Sequence, residues 1–429
     1  MSQRPNPPSA RRSAVYLLDQ VLGEGRLMSD LIASGALDHL SPADRARAQR
    51  LANDTLRGLD RADRLLKRHL RKPPPLHVFN ILRLGTVELC QGGDAHGVVN
   101  DLVGLIGGHK RYGKLKGLIN AVLRNMAGGA GRSWNDLRLP RLRQWLRDPL
   151  VEAWGAGPVG AMEKAHFNGA PLDLTAKGDT ADLAKRLGGN LLPTGTVRLS
   201  DAGQVSALPG YDTGDWWVQD AAAAMPARVL NAQPGEKVLD MCAAPGGKTL
   251  QLAAAGADVT ALDLSERRMQ RVRENLARCG LSADCITGDA LDHAGGPYDA
   301  ILLDAPCSAT GTIRRHPDLP YAKDGSEFGA LIELQAAMLD HALSLLKPGG
   351  RLVFCTCSLL PDEGECQVDE ALGRHPGLSV DRDAVGRLPG IDPAWITDEG
   401  GLRLRPDHWP EHGGMDGFYI ACLRPGPVA

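Results

Sequence analysis

A chain of 429 residues has room for two or three domains, each with its own core. With 43% hydrophobic and 23% charged residues it has the composition of a globular domain protein. No apolar run is long enough to cross a bilayer, and MSQRPNPPSARR lacks a secretory apolar core, so neither a membrane-spanning helix nor a secretory signal is expected. The nine cysteines form no small-domain disulfide framework and are expected to be reduced thiols of a cytoplasmic protein. The net charge of -2 conceals an asymmetry: residues 1–130 carry 20 Lys/Arg against 11 Asp/Glu, and the remainder 29 against 40. A basic module joined to an acidic one suits a polyanion gripped from one end, although a soluble Arg-rich surface explains the charge equally well.

The first few residues are expected to be disordered. From residue 10 to about 127 apolar residues recur at helical spacing with no strand alternation, which predicts a helical bundle. Ser41 and Pro42 read as the N-cap and first position of a helix that continues towards Leu70. GGAGR at 128–132 reads as a hinge. Between 131 and 215, RLRQWLRDPLVEAWG suggests a helix and PLDLTAKG and TVRLSDAG suggest short strands, hence a small α+β connector. From 216 to 429 strands alternate with helices: KVLDMC, DVTALD, DCITGD, YDAILLDAP, RLVFCTCS and GFYIACLRP. This pattern predicts a mostly parallel, doubly wound Rossmann-like sheet, whose ligands lie beyond the carboxyl ends of the strands.

CAAPGGK runs from Cys242 through Ala243, Ala244, Pro245, Gly246 and Gly247 to Lys248, directly after the first of these strands. Such a turn accommodates NAD, FAD or S-adenosyl-L-methionine, but the absence of G-x-G-x-x-G spacing disfavours a pyrophosphate. Asp263 closes the next strand, where a carboxylate binds ribose hydroxyls. Asp289 ends the third, where it can accept from an adenine amino group, and Asp304 ends the fourth. One such aspartate is usually a cap or loop residue; three beside one Gly-rich turn favour a nucleoside cofactor.

DAPCSATG places Cys307, and TCS places Cys357, at two further strand ends, so both are expected in one cleft. Cys90, Cys279, Cys285, Cys366 and Cys422 are read as small buried hydrophobes, and Cys355 is expected to face away from Cys357. The spacing holds no metal-binding C-x-x-C pair. Two thiols and a carboxyl suit covalent catalysis on a pyrimidine. A thiolate adds to carbon 6, an acid or donor such as Asp304 relieves charge at N3, and a second thiol assists loss of the carbon 5 proton.

CAAPGGK, DAPCSATG-x-x-RRHPD and TCS together resemble the bacterial ribosomal RNA small subunit methyltransferase B family, also called Sun or Fmu, within the RNA 5-cytosine methyltransferases. The resemblance covers nearly the whole chain. PLHVFNILRLGTVEL and KLKGLINAVLRN resemble its NusB-type helical domain, WVQDAAAAMPARVL its lead-in to the Rossmann-like sheet, and DGFYIACLRP its last strand. It implies Cys357 as nucleophile and Cys307 as the product-release thiol, an order the residues alone leave open. It further implies 16S ribosomal RNA as partner before 30S assembly is complete, with a monomeric enzyme. PLDLTAK in the connector and Leu319–Tyr321 after RRHPD, where a Trp is usual, depart from the family pattern and bear on RNA contacts. Alternatives are a 5-cytosine methyltransferase for transfer RNA or another ribosomal site, a non-catalytic antitermination factor, and a nicotinamide oxidoreductase.

Overall fold

The structure, a computed structural model, describes residues 9–107, 109–129, 133–200 and 203–426. The disorder expected at the start and the last three residues of the expected hinge lie outside the described residues. The chain divides into two compact units, one of Met1–Val151, Val159–Gly169 and Ile313–Asp324, the other of Glu152–Pro158, Ala170–Thr312 and Gly325–Ala429.

The first unit is helical, with its main helices at Ala10–Glu24, Pro42–Arg57, Leu59–Lys67, Leu76–Cys90, Ala95–Ile106 and Lys116–Ala127. Ser9 caps the first through Arg12 N, and Gly25 ends it in the left-handed region. Ser41 accepts from Asp44 N with Pro42 at the first position, as expected. The segment towards Leu70 is two helices instead of one. The break falls at Gly58, where a Cβ would lie 2.8 Å from the Trp134 ring, so only glycine admits that close approach. Leu17, Leu18, Leu65, Ile81, Leu102 and Leu123 fill the core. Residues 313–324 belong to this unit. Arg57 donates to Arg314 O (2.9 Å), Met28 N to Asp318 Oδ2 (2.8 Å), Trp145 Nε1 to Pro320 O (3.2 Å) and Tyr321 to Leu56 O (3.3 Å).

The second unit holds two sheets. β1 (Leu172–Ala176), β2 (Asn190–Leu191), β3 (Val197–Leu199) and β4 (Trp216–Val218) form an antiparallel sheet in the order β2-β3-β1-β4, with the helix Thr180–Leu187 against it; the segment 131–215 expected to be a connector is shared between the two units. Asp173, within the unusual PLDLTAK, is buried and grips Arg198 through two 2.6 Å bonds. The larger sheet contains β5 (Lys237–Met241), β6 (Asp258–Asp263), β7 (Asp284–Thr287), β8 (Tyr298–Asp304), β9 (Leu346–Thr356), β10 (Ser379–Val380), β11 (Leu402–Leu404) and β12 (Phe418–Arg424). Its order is β10-β12-β9-β8-β5-β6-β7, with β11 on β12. β9, β8, β5, β6 and β7 run parallel, and β12 is antiparallel to β9. Val238, Ala300, Leu302 and Val353 pack on one face, and Leu239, Ile301, Leu303 and Phe354 on the other, as a sheet covered on both sides requires. KPGG lies inside β9 and does not separate helix from strand; the pairing with β8 shifts register at Tyr298/Ala300.

Candidate active site

β5 lies between β6 and β8, so the chain's direction across the sheet reverses beside it, and a crevice opens at the strand ends there. Cys242 leaves β5 with φ +61°, and Gly246 with φ +101° starts the helix Gly247–Ala254. A Cβ at Gly246 would crowd Val272 at 3.2 Å, and one at Gly247 would crowd Gln219 at 3.3 Å. Ala243 N is bonded to Leu262 O (3.0 Å), and Ala244 N donates to Asp263 Oδ2 (3.2 Å), tying the turn to the end of β6. Asp263 also accepts from Ser265 N (2.9 Å) and Arg268 (2.7 Å to Oδ2). Asp289 stands two residues beyond β7, with Oδ1 accepting from Leu291 N (2.9 Å). Beside these carboxylates are two leucines the sequence reading missed, Leu264 at 72% exposure and Leu291 at 37%. Carboxylates for hydroxyl and amino groups, exposed apolar side chains for a flat ring, and a glycine turn for close backbone approach fit the nucleoside of S-adenosylmethionine.

Lys248 projects from that helix onto Asp304 at the end of β8, 2.7 Å away. Burial opposes the lysine charge, but Asp304, Cys355 and Asp240 together outweigh it and the pKa is raised. Cys355 Sγ donates to the other oxygen of Asp304 (3.4 Å). This corrects the expectation that Cys355 faces away. Residues two apart on a strand share a face, and Cys355 and Cys357 both pack against the core that includes Val353. Cys366 is exposed, against its expected burial.

Cys307 and Cys357 approach to 3.5 Å between sulfurs. They come together because the loops that carry them are cross-braced. Ala305 N donates to Cys355 O (2.9 Å), Gly311 N to Cys357 O (2.9 Å) and Leu359 N to Thr310 Oγ1 (2.9 Å). Beneath them the buried hydroxyls of Ser308, Thr310 and Ser358 lie within 3.3 Å of one another. The buried Glu363 carboxylate accepts from Ser308 N (2.8 Å) and Gln335 Nε2 (3.1 Å). Neither Glu363 nor Gln335 carries a sequence signal, because PDEGE and a mid-helix Gln look like solvated surface. The hydrogen bond to Cys357, reinforced by burial, holds the Cys307 thiol well above its ordinary pKa. Burial, with Asp304 nearby, pushes the Cys242 thiol up to about 12, so Cys242 is no nucleophile.

A nucleoside-binding crevice at a parallel-sheet switch point, with thiols at adjoining strand ends and a helical module attached, defines an S-adenosylmethionine-dependent methyltransferase. A family model described as 16S rRNA methyltransferase RsmB/F matches residues 227–424, and that of the NusB family matches residues 8–128. Similar curated proteins include ribosomal RNA small subunit methyltransferase B of Pseudomonas syringae pv. tomato, 36% identical over 96% of both chains, and that of Vibrio cholerae, 36% identical over 97% of both. A solved methyltransferase homologue from Pyrococcus horikoshii is 30% identical, with a TM-score of 0.53 over 65% of this chain and 93% of its own. The chain belongs to the ribosomal RNA small subunit methyltransferase B family.

Proposed function

We propose that this enzyme methylates carbon 5 of a cytosine in 16S ribosomal RNA through a covalent adduct with Cys357. The observation that carries this reading is the 3.5 Å approach of the Cys307 and Cys357 sulfurs beside Asp304. S-adenosylmethionine, held by Cys242–Lys248, Asp263, Asp289 and Asp304, supplies an electrophilic methyl group when bound. The Cys357 thiolate adds to carbon 6 of the ring, which makes carbon 5 nucleophilic. The Cys307 and Cys357 sulfurs share a hydrogen bond, and that bond together with burial holds the Cys307 thiol above its ordinary pKa. Asp304, held by Lys248, is the acid or hydrogen-bond donor that relieves the charge building towards N3. After methylation Cys307 assists removal of the carbon 5 proton, and Cys357 departs.

Residues 1–130 and the connector, 131–215, hold the RNA, and residues 216–429 carry out the transfer on an extruded base. The enzyme acts as a cytoplasmic monomer on RNA not yet packed into a complete 30S subunit. The test is denaturing electrophoresis with 16S RNA and cofactor. Cys307→Ala should trap an RNA–protein adduct, whereas Cys357→Ala should yield none and no methylation. Adduct with Cys357→Ala alone would reverse the two roles. Bisulfite sequencing of RNA from cells lacking the gene locates the base, and loss of a transfer RNA methylation instead would select the alternative substrate.

A further inference from the structure

The helical unit carries three rings in one group. His109 and Tyr112 stack with centroids 4.6 Å apart and planes 26° from parallel, and His77 lies 5.9 Å from Tyr112 and 5.7 Å from His109. Each histidine is held in orientation by hydrogen bonds. His109 Nδ1 accepts from the backbone N–H of Arg111 (3.2 Å) and Tyr112 (3.3 Å). His77 Nδ1 donates to Asp19 Oδ2 (2.7 Å), whose other oxygen accepts from Asn80 (2.8 Å). The rings are therefore fixed while His109 remains exposed and His77 and Tyr112 half-buried. Arg111 lies over Tyr112 at 5.4 Å. Between Asp101 and Asp136 the chain has Lys110, Arg111, Lys114, Lys116, Arg124 and Arg132 and no carboxylate.

We infer that His77, His109 and Tyr112 form a stacking platform for an unpaired RNA base, with the cations of the 110–116 segment holding the flanking phosphates. A ring that served packing alone would be covered. Here hydrogen bonds fix the two histidine rings and leave His109 exposed beside Lys110 and Arg111, which is what a single strand needs: a π-face for a base and cations for its backbone. The platform deepens the RNA-methyltransferase reading and rests on it; it gives the helical unit a defined point of grip on single-stranded RNA.

The experiment uses the full chain, a fluorescein-labelled oligouridylate of about 12 nucleotides and transcribed 16S RNA. His109→Ala and Tyr112→Ala should weaken oligouridylate binding roughly 5- to 100-fold and raise the KM for 16S RNA without lowering kcat. Tyr112→Phe keeps the ring and should bind as the wild type does. Lys110→Gln and Lys114→Gln should each flatten the slope of log affinity against log salt by about 0.7. His109 is exposed, so its variant reports on binding even if Tyr112→Ala proves unstable. Wild-type affinity and KM in His109→Ala would overturn the platform. Absence of methyl transfer to RNA by the wild type would instead overturn the activity it rests on.

Discussion

The buried Glu363 carboxylate accepts both the backbone N–H and the hydroxyl of Ser308, the residue that follows Cys307. Glu363 follows the TCS loop in the chain, and its own carbonyl accepts from Thr356 Oγ1 at 2.7 Å. One side chain thus links the two cysteine loops. Glu363→Ala removes the acceptor of three buried donors, Ser308 N, Ser308 Oγ and Gln335 Nε2, which should cost about 2–4 kcal/mol in chemical denaturation. Glu363→Gln keeps an acceptor for Ser308; it should cost less stability while slowing adduct formation, with cofactor affinity unchanged in calorimetry.

A second prediction concerns Gly311. A Cβ there would lie 2.1 Å from Gly417 O and 2.8 Å from Cys357 O, both backbone atoms that cannot rotate away. Gly311→Ala must push the Cys357 loop aside. Methyl transfer should fall at least about 100-fold, since an ångström of misplacement costs that much, and the thermal midpoint should drop. Wild-type turnover in this variant would show that the loops tolerate separation.

Stability should depend on Asp240. Burial, only partly offset by the bond from Thr249 and the charge of Lys248, raises its pKa from the ordinary 3.8 to about 7. Between these values the folded protein binds the proton and the unfolded chain has released it, so the contribution of Asp240 falls as pH rises from about 4 to about 7. The loss has an upper bound of about 4 kcal/mol. Asp240→Asn cannot ionise and should flatten this part of a plot of thermal midpoint against pH. An unchanged slope would show that Asp240 is ionised throughout.

The sulfur–sulfur approach also predicts sensitivity to peroxide. A disulfide needs about 2.05 Å between sulfurs, against 3.5 Å here, so modest loop movement suffices. One equivalent of hydrogen peroxide would take two hydrogens from Cys307 and Cys357, release two waters and remove the nucleophile. Activity should return with dithiothreitol, and peptide mass spectrometry should find the 307–357 link. Irreversible loss without that peptide would count against it.

Much of the site was legible because its residues stand at strand ends in short, spaced motifs. Cys242–Lys248, Asp263 and Asp304 are placed by strand periodicity and glycine alone. What escaped were partners that only tertiary folding supplies. Nothing in PDEGE marks Glu363 as buried beneath Ser308, and nothing local places Lys248 on Asp304. Two errors had local causes. The break falls at Gly58, where the close approach of Trp134, far along the chain, leaves no room for a Cβ. The wrong face for Cys355 came from misapplying strand alternation, since residues two apart point the same way.

Residues 313–324 bear on the order in which the protein can be built. Arg314 is fully buried, and this segment supplies partners to Met28, Leu56, Arg57 and Trp145. A ribosome releases those four long before it reaches position 324. The hydrophobic core of the amino-terminal unit, Ala10 to Trp134, can close when its own helices have emerged, but the bonds to residues 313–324 form only after most of the methyltransferase sheet has been translated. The first unit thus folds early in the usual order and receives its last segment late, so the helical unit made alone would keep its apolar core and lack the partners of Met28, Arg57 and Trp145.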